Sequence, residues 1–293
     1  MKKLFIPFLA CLCACSSANA QKFYFRGGLG YAISHGGAGQ STVSGNTGNV
    51  FPLQGNYSST QIPGTTTESF KLQRVSFTSG LQGILGLGLM FNKSIGVDLA
   101  ASVGLATRTN KASVYQERAG IRESLNVTQQ ANMPLFLTPS LVIQTDGKIK
   151  AYARGGIVFP VKADMTQEIR YIQELFNQQT NAWERTTYDW TEDFSMRLNP
   201  GVSGSIGMKL TVGKNVTVWG ELYLLAMTLY FKQSELTSYA ENGESILGQI
   251  APSNRITNYE FKANNSGNTN TSPTYQVPYG NFGFHAGVMV DLK

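Results

Sequence analysis

Residues 77–107 read FTSGLQGILGLGLMFNKSIGVDLAASVGLAT. Phe77, Leu81, Leu85, Leu87, Leu89 and Phe91 fall on one side of a two-residue period, with Gln82, Gly86, Gly88 and Met90 on the other. After Asn92-Lys93-Ser94 the same alternation resumes: Ile95, Val97, Leu99, Val103 and Leu105 oppose Gly96, Asp98, Ala100, Ser102 and Gly104. A period of two is the mark of a β-strand with one apolar face. Two such runs joined by a short Asn/Lys/Ser turn form an antiparallel hairpin.

Six further runs of this kind extend outward from the hairpin. Lys22 to Ser34 precedes it. After it come runs centred on Leu135 to Gln144, Lys150 to Val161, Arg197 to Leu210, Val218 to Ala226 and Asn281 to Leu292. Asp146-Gly147-Lys148 and Gly213-Lys214-Asn215 supply two more tight turns, whereas residues 35–69, 108–132, 163–194 and 232–278 are long and rich in Gly, Ser, Thr, Asn and Gln. Short turns at one end and long loops at the other are the asymmetry of a membrane barrel. The sequence therefore predicts an all-β fold, an eight-stranded antiparallel up-and-down transmembrane β-barrel with short periplasmic turns and long extracellular loops.

Composition agrees with this alternation. The chain has 293 residues, of which 42% are hydrophobic and 14% charged, and its mean hydropathy is −0.14. Soluble domains carry about 25% charged residues. The longest apolar run beyond residue 20, in Leu222 to Phe231, is far short of the roughly 20 residues of a membrane helix. Lys2 and Lys3, the apolar stretch Leu4 to Ala14 and the small-residue site Ala18-Asn19-Ala20 read as a secretory signal peptide. The expected organisation is a signal peptide over residues 1–20 and a barrel domain over 21–293. Leu12-Cys13-Ala14-Cys15 also resembles a lipobox, which would make Cys15 an acylated N-terminus instead. All three cysteines lie in this leader, and without Lys2 and Lys3 the formal charge falls from +6 to +4. That charge is too small and too scattered to indicate nucleic-acid binding.

The two faces of the runs have different chemistry. The apolar face is almost free of charge and carries aromatics at its ends: Phe23, Phe25 and Phe91 at the periplasmic rim, and Tyr31, Phe77, Phe159, Tyr230, Phe282 and Phe284 at the outer rim. Paired aromatic girdles belong to outer-membrane barrels. The other face is mostly Gly, Ala and Ser, suited to a narrow lumen. On it Arg26, Asp98, Arg154 and Glu221 sit at similar depth on the first, third, fifth and seventh runs, with alternating sign. The even runs offer small residues at that level, including Gly86, Gly88, Ser140, Ser205, Gly207 and Gly287. An eight-stranded barrel is only just wide enough to be filled by side chains, and a buried charge there needs a partner. The expectation is a charge-paired plug, adjoined by Tyr152, Tyr223 and His285.

The opening strand Phe23-Tyr24-Phe25-Arg26-Gly27-Gly28-Leu29-Gly30-Tyr31 and the closing strand Gly283 to Leu292 resemble those of the small outer-membrane β-barrels of the OmpA transmembrane-domain, OmpX and OmpW type. Such barrels usually end on an aromatic residue, where this chain ends Asp291-Leu292-Lys293. The resemblance implies location in the outer membrane, contact with membrane lipid and lipopolysaccharide, and insertion by the barrel-assembly machinery. It leaves activity open, because members range from structural proteins and adhesins to narrow pores.

No cysteine/histidine spacing suggests a metal, and no cofactor is expected. Gly27-Gly28-Leu29-Gly30 and Gly86-Leu87-Gly88 precede no helix, so they read as close-packing strand glycines rather than phosphate loops. The third loop carries Tyr171, Phe176, Trp183, Tyr188 and Trp190 among charges, either as a surface for a partner or as rings packed together on hairpins that continue above the membrane. Residues 264–271 read as a mobile polar tip. The primary functional reading is a non-enzymatic barrel with a plugged lumen, serving envelope integrity or surface interaction through its loops. The alternatives are a narrow channel or a transporter of small apolar solutes, and then a lipid A-modifying enzyme using Ser34 and His35.

Overall fold

In the computed structural model, residues 22–34, 58–61, 68–70, 77–106, 109–118, 120–261, 270–274 and 276–292 are described. The leader with its cysteines, His35 and residues 264–269 of the polar tip lie outside them. Eight antiparallel strands close into a barrel: β1 (Lys22–Ser34), β2 (Gly80–Met90), β3 (Ile95–Gly104), β4 (Leu135–Gln144), β5 (Ile149–Lys162), β6 (Gly201–Thr211), β7 (Val216–Ala226) and β8 (Asn281–Leu292). Each strand pairs with its sequence neighbours, and β1 closes on β8 in a register running from Phe23 opposite Leu292 to Ser34 opposite Asn281. Closure removes the free edges that an open sheet would present to lipid.

The alternation seen in the sequence becomes an outside and an inside. Leu29, Leu85, Leu87, Ile157, Ile206 and Leu222 are each more than half exposed on the outer surface, while Tyr24, Arg26, Asp98, Tyr152 and Glu221 are buried. A continuous belt of exposed Leu, Ile, Val and Phe is stable against hydrocarbon and not against water. Phe23, Phe25, Tyr31, Phe159, Phe282 and Phe284 are exposed on this belt, and Phe91 is half-buried just beyond β2 at the short-turn end. Two girdle assignments are corrected. Phe77 precedes β2 and is 2% exposed, packed with its ring centroid 5.9 Å from that of Tyr279 inside the barrel mouth. Tyr230 lies beyond the end of β7, on a strand above the barrel, where its ring meets Phe261 edge-on at 4.9 Å. In both cases the strand ends before the aromatic is reached, so the two-residue count no longer holds.

The connections expected as long loops are largely strands. Thr109–Arg118 pairs with Ile121–Ala131, Met165–Asn177 with both Ile121–Ala131 and Ala182–Arg197, and the last of these with Thr228–Glu241. Together they form a second sheet standing above the barrel. Short breaks separate it from the barrel strands. Proline, which has no N–H for a ladder, marks two of them, at Pro134 and Pro200, and Met133 adopts a positive φ of 42°. Backbone bonds from Gly104 N–H to Pro134 O (3.0 Å) and from Asn132 N–H to Asp164 O (2.9 Å) hold the breaks together. At this junction Phe136, Val158 and Leu225 from the barrel and Tyr279 from the break before β8 pack with Met165, Phe194, Leu229 and Phe231 from the sheet in one apolar core.

The third-loop aromatics lie within this sheet. Tyr188 stacks between Tyr171 (6.1 Å) and Tyr239 (6.4 Å), Trp190 meets Tyr239 edge-on, and Phe176 meets Trp183 at 5.3 Å. The Tyr171 hydroxyl donates to Glu123 Oε1 at 2.5 Å. Burial and this carboxylate push the Tyr171 phenol above its ordinary value.

Two outcomes are expected. Leu85→Arg, at the middle of β2 on the lipid face, destabilises the barrel by about 2–4 kcal/mol in reversible urea unfolding in lipid. The raised Tyr171 phenol stabilises the fold below the unfolded phenol value of about 10, and this contribution declines as the pH rises further, because the unfolded chain ionises first. Proteolysis of the outer sheet therefore accelerates at alkaline pH, and Tyr171→Phe flattens that dependence.

Candidate functional site

The lumen of the barrel is where charged side chains converge. Odd strands supply the long ones: Arg26 on β1, Asp98 on β3, Arg154 on β5 and Glu221 on β7. Even strands supply the room. Gly86 lies opposite Arg26, Gly88 and Ser140 opposite Asp98, Ser205 opposite Arg154, and Gly207 opposite Glu221. A Cβ on Gly86 would come within 2.9 Å of Arg26 Nε, and one on Gly88 would overlap the Tyr24 ring. At these two positions a side chain would collide with those that cross the barrel.

The four charged groups are joined. Arg26 donates to both oxygens of Asp98, Nε to Oδ2 at 2.9 Å and Nη2 to Oδ1 at 2.7 Å. Arg154 donates to Asp98 Oδ1 at 3.4 Å and also bonds Glu221 Oε2. All four side chains are at most 7% exposed. The remaining carboxylate capacity is used by neutral donors: the Tyr24 hydroxyl to Asp98 (3.0 Å), and the Tyr152 and Ser205 hydroxyls to Glu221 (2.9 and 3.1 Å). Two acids balance two guanidinium groups, and hydrogen bonds to charged partners are stronger than neutral ones.

Further layers lie above and below. Toward the outer mouth, the His285 ring contacts Glu221 through Nδ1 and Gln82 through Nε2, both at 3.2 Å, and stacks on Tyr223 at 3.7 Å between centroids. The Tyr223 hydroxyl donates to Gln82 Oε1 at 2.8 Å. Above these, Tyr279 and its apolar neighbours fill the mouth. Below the charges, Lys209 donates to Gln144 Oε1 at 2.9 Å. Trp219, 2% exposed, has the Arg26 and Arg154 guanidinium groups at 5.3 and 5.8 Å from its ring centre, a distance at which a cation is attracted to an indole face. A cavity of about 80 Å³ remains beside the arginines, with Ser102, Thr138, Ser140 and Ser203 on its wall.

The sequence pattern placed Arg26, Asp98, Arg154 and Glu221 at one depth, and the structure brings them together with Tyr152, Tyr223 and His285. It did not single out Tyr24, Gln82, Gln144, Lys209 or Trp219, although each lies on the polar side of its strand. Their parity was visible. Which neighbour each would reach across the barrel depends on stagger between strands, which parity does not encode. His35, half of the Ser34–His35 pair, lies outside the described residues. Among the described residues no group of His, Cys, Asp and Glu is arranged to hold a metal ion.

Arg154→Met leaves Glu221 without its arginine and Asp98 with only one. The expected loss is about 3–5 kcal/mol of unfolding free energy, the range for breaking a buried ion pair from one side. Equilibrium urea unfolding of the refolded barrel checks this.

No family model matches the chain, and no curated protein matches it. Solved structures that align over most of it include the following two. The outer membrane protein OprG from Pseudomonas aeruginosa is 12% identical over 93% of this chain and 96% of its own, with a TM-score of 0.40. Ail, the attachment invasion locus protein of Yersinia pestis, is 9% identical over 92% and 97%, with a TM-score of 0.25. Identities and scores this low transfer no activity. The class rests on the chain's own geometry. A closed eight-stranded antiparallel barrel with an apolar outer belt and a polar interior has the architecture of the small outer-membrane β-barrels.

Proposed function

We propose that the protein is a non-enzymatic outer-membrane barrel whose lumen is closed by its own side chains, and which serves envelope integrity or surface interaction through the sheet raised above the membrane. The observation that carries this reading is the continuous column of buried residues. Lys209, the Arg26–Asp98–Arg154–Glu221 cluster, His285 with Gln82, Asn281 and Tyr279 follow one another along the barrel, each at most 7% exposed at the side chain or residue level. An ion crossing this column would have to break charge-assisted bonds in a low-dielectric space, where they are strongest. The aromatic sheet supports the second half. Trp183 is 36% exposed near its hairpin tip, with the Arg122 guanidinium 4.0 Å from its ring centre, and exposed aromatics beside arginine are enriched at contact surfaces.

Planar-bilayer recording tests the closed lumen: no steady ion channels are expected at neutral pH, and steady channels overturn the reading. Mass spectra of lipid A from cells with and without the protein are expected to be identical. An acyl-chain change abolished by His35→Ala would instead identify an enzyme.

A further inference from the structure

The short-turn mouth of the barrel carries positive charge that the lumen network does not balance. Lys150 on β5 and Lys209 on β6 are directly opposite each other across their strand pair, and both line the same opening. Like charges in that position repel. Lys209 is 5% exposed. Among the described residues its ammonium group has one hydrogen-bond partner, the Gln144 side-chain carbonyl, and otherwise lies near the Tyr24 and Tyr152 rings at 5.4 and 4.7 Å from their centres. Among the described residues neither lysine has an ion pair. Asp146 on the rim is taken by Lys93 at 3.0 Å; Asp291 also lines the opening, and with Lys22 as a fourth cation the mouth, about 350 Å³ in volume, sets four lysines against two carboxylates.

We propose that this mouth is a binding site for a phosphate-class oxyanion, with Lys209 at its floor and Lys150 and Lys22 at its rim. An ammonium group has three donors, so Lys209 retains two after Gln144. The Thr217 hydroxyl, buried on the neighbouring strand, lines the same opening. A bound phosphate would relieve the Lys150–Lys209 repulsion and compensate a desolvated cation that has no carboxylate partner. Lysine binds phosphate as a point charge and needs no bidentate geometry. The short-turn end faces the periplasm in barrels of this architecture, so the phosphate can be a free periplasmic anion or the headgroup of an inner-leaflet lipid. The two share one chemistry.

The test uses the full chain refolded in phosphate-free maltoside micelles, titrated with inorganic phosphate at constant ionic strength made up with chloride. Phosphate is expected to raise the unfolding temperature beyond the chloride control, as any ligand specific to the folded state does. Lys209→Met is expected to abolish the rise while keeping the folded barrel's heat-modifiable gel mobility, and Lys150→Gln to weaken binding by about tenfold. A wild-type response equal to chloride overturns the proposal, as does an undiminished response in Lys209→Met. Should Lys209→Met fail to fold, an undiminished response in Lys150→Gln overturns it instead. A short-chain phosphatidate run in parallel separates the sources: saturation below the inorganic phosphate range identifies the lipid headgroup, and saturation at or above it identifies the free anion.

Discussion

Arg154 bonds both Asp98 and Glu221 across the barrel, and the arrangement of the interior follows from that bridge. With only eight strands around it, the space has room for one layer of long side chains at a time. A guanidinium group with its fixed fork of donors can reach two acids on different strands, which a lysine ammonium on its flexible stem does less well. Once Arg154 occupies the centre, Arg26 must complete Asp98 from the other side, and the tyrosines Tyr24 and Tyr152 must supply neutral donors where no further cation fits. The glycines on β2 and β6 follow from the same geometry, since a side chain there would collide with those that cross.

Much of this was legible from residue parity. Strict alternation in runs such as Ile95 to Leu105 assigned lumen and lipid faces for all eight barrel strands, and it placed the four charges at one depth because their distances from the short turns are similar. Parity failed where strands end. Phe77 was counted on the lipid side because it is in phase with Leu81, yet the chain has left the strand by then and turns the ring into the mouth. Apart from the third connection, where hairpins continuing above the membrane with packed rings are one of the two readings, the outer sheet reads as loops because its strands stand in water rather than in lipid. With no hydrocarbon to demand an apolar face, residues such as Gln129 and Gln167, whose amides bond each other at 2.7 Å while buried, alternate with other polar groups and leave no period to find.

Barrel and outer sheet use different stabilising chemistry on either side of the junction. Below it, hydrogen-bonded charges fill the inside while the apolar atoms face outward to lipid, an inverted arrangement relative to a soluble protein. Above it, Phe194, Phe231 and Met165 point inward in the ordinary way. The switch occurs over the few residues around Pro134, Ala163, Pro200 and Met227, where the ladder is interrupted. An interruption is what permits a change of face: a strand continuing without a break would keep its parity and carry its lipid-side residues into water.

The pairing of β1 with β8 joins residues at opposite ends of the chain, Phe23 to Leu292. Contacts of such long sequence separation form slowly, because loop-closure entropy is lost before they contribute. Until that seam closes, Arg26 on β1 is held beside only one of its two flanking strands, and Glu221 and His285, already opposite each other on β7 and β8, have no β1 wall beside them. The charged interior is therefore completed by the same event that completes the wall. A partly zipped sheet with its acids and arginines still open to water has little to gain from entering hydrocarbon, so the geometry favours closing the seam no later than insertion.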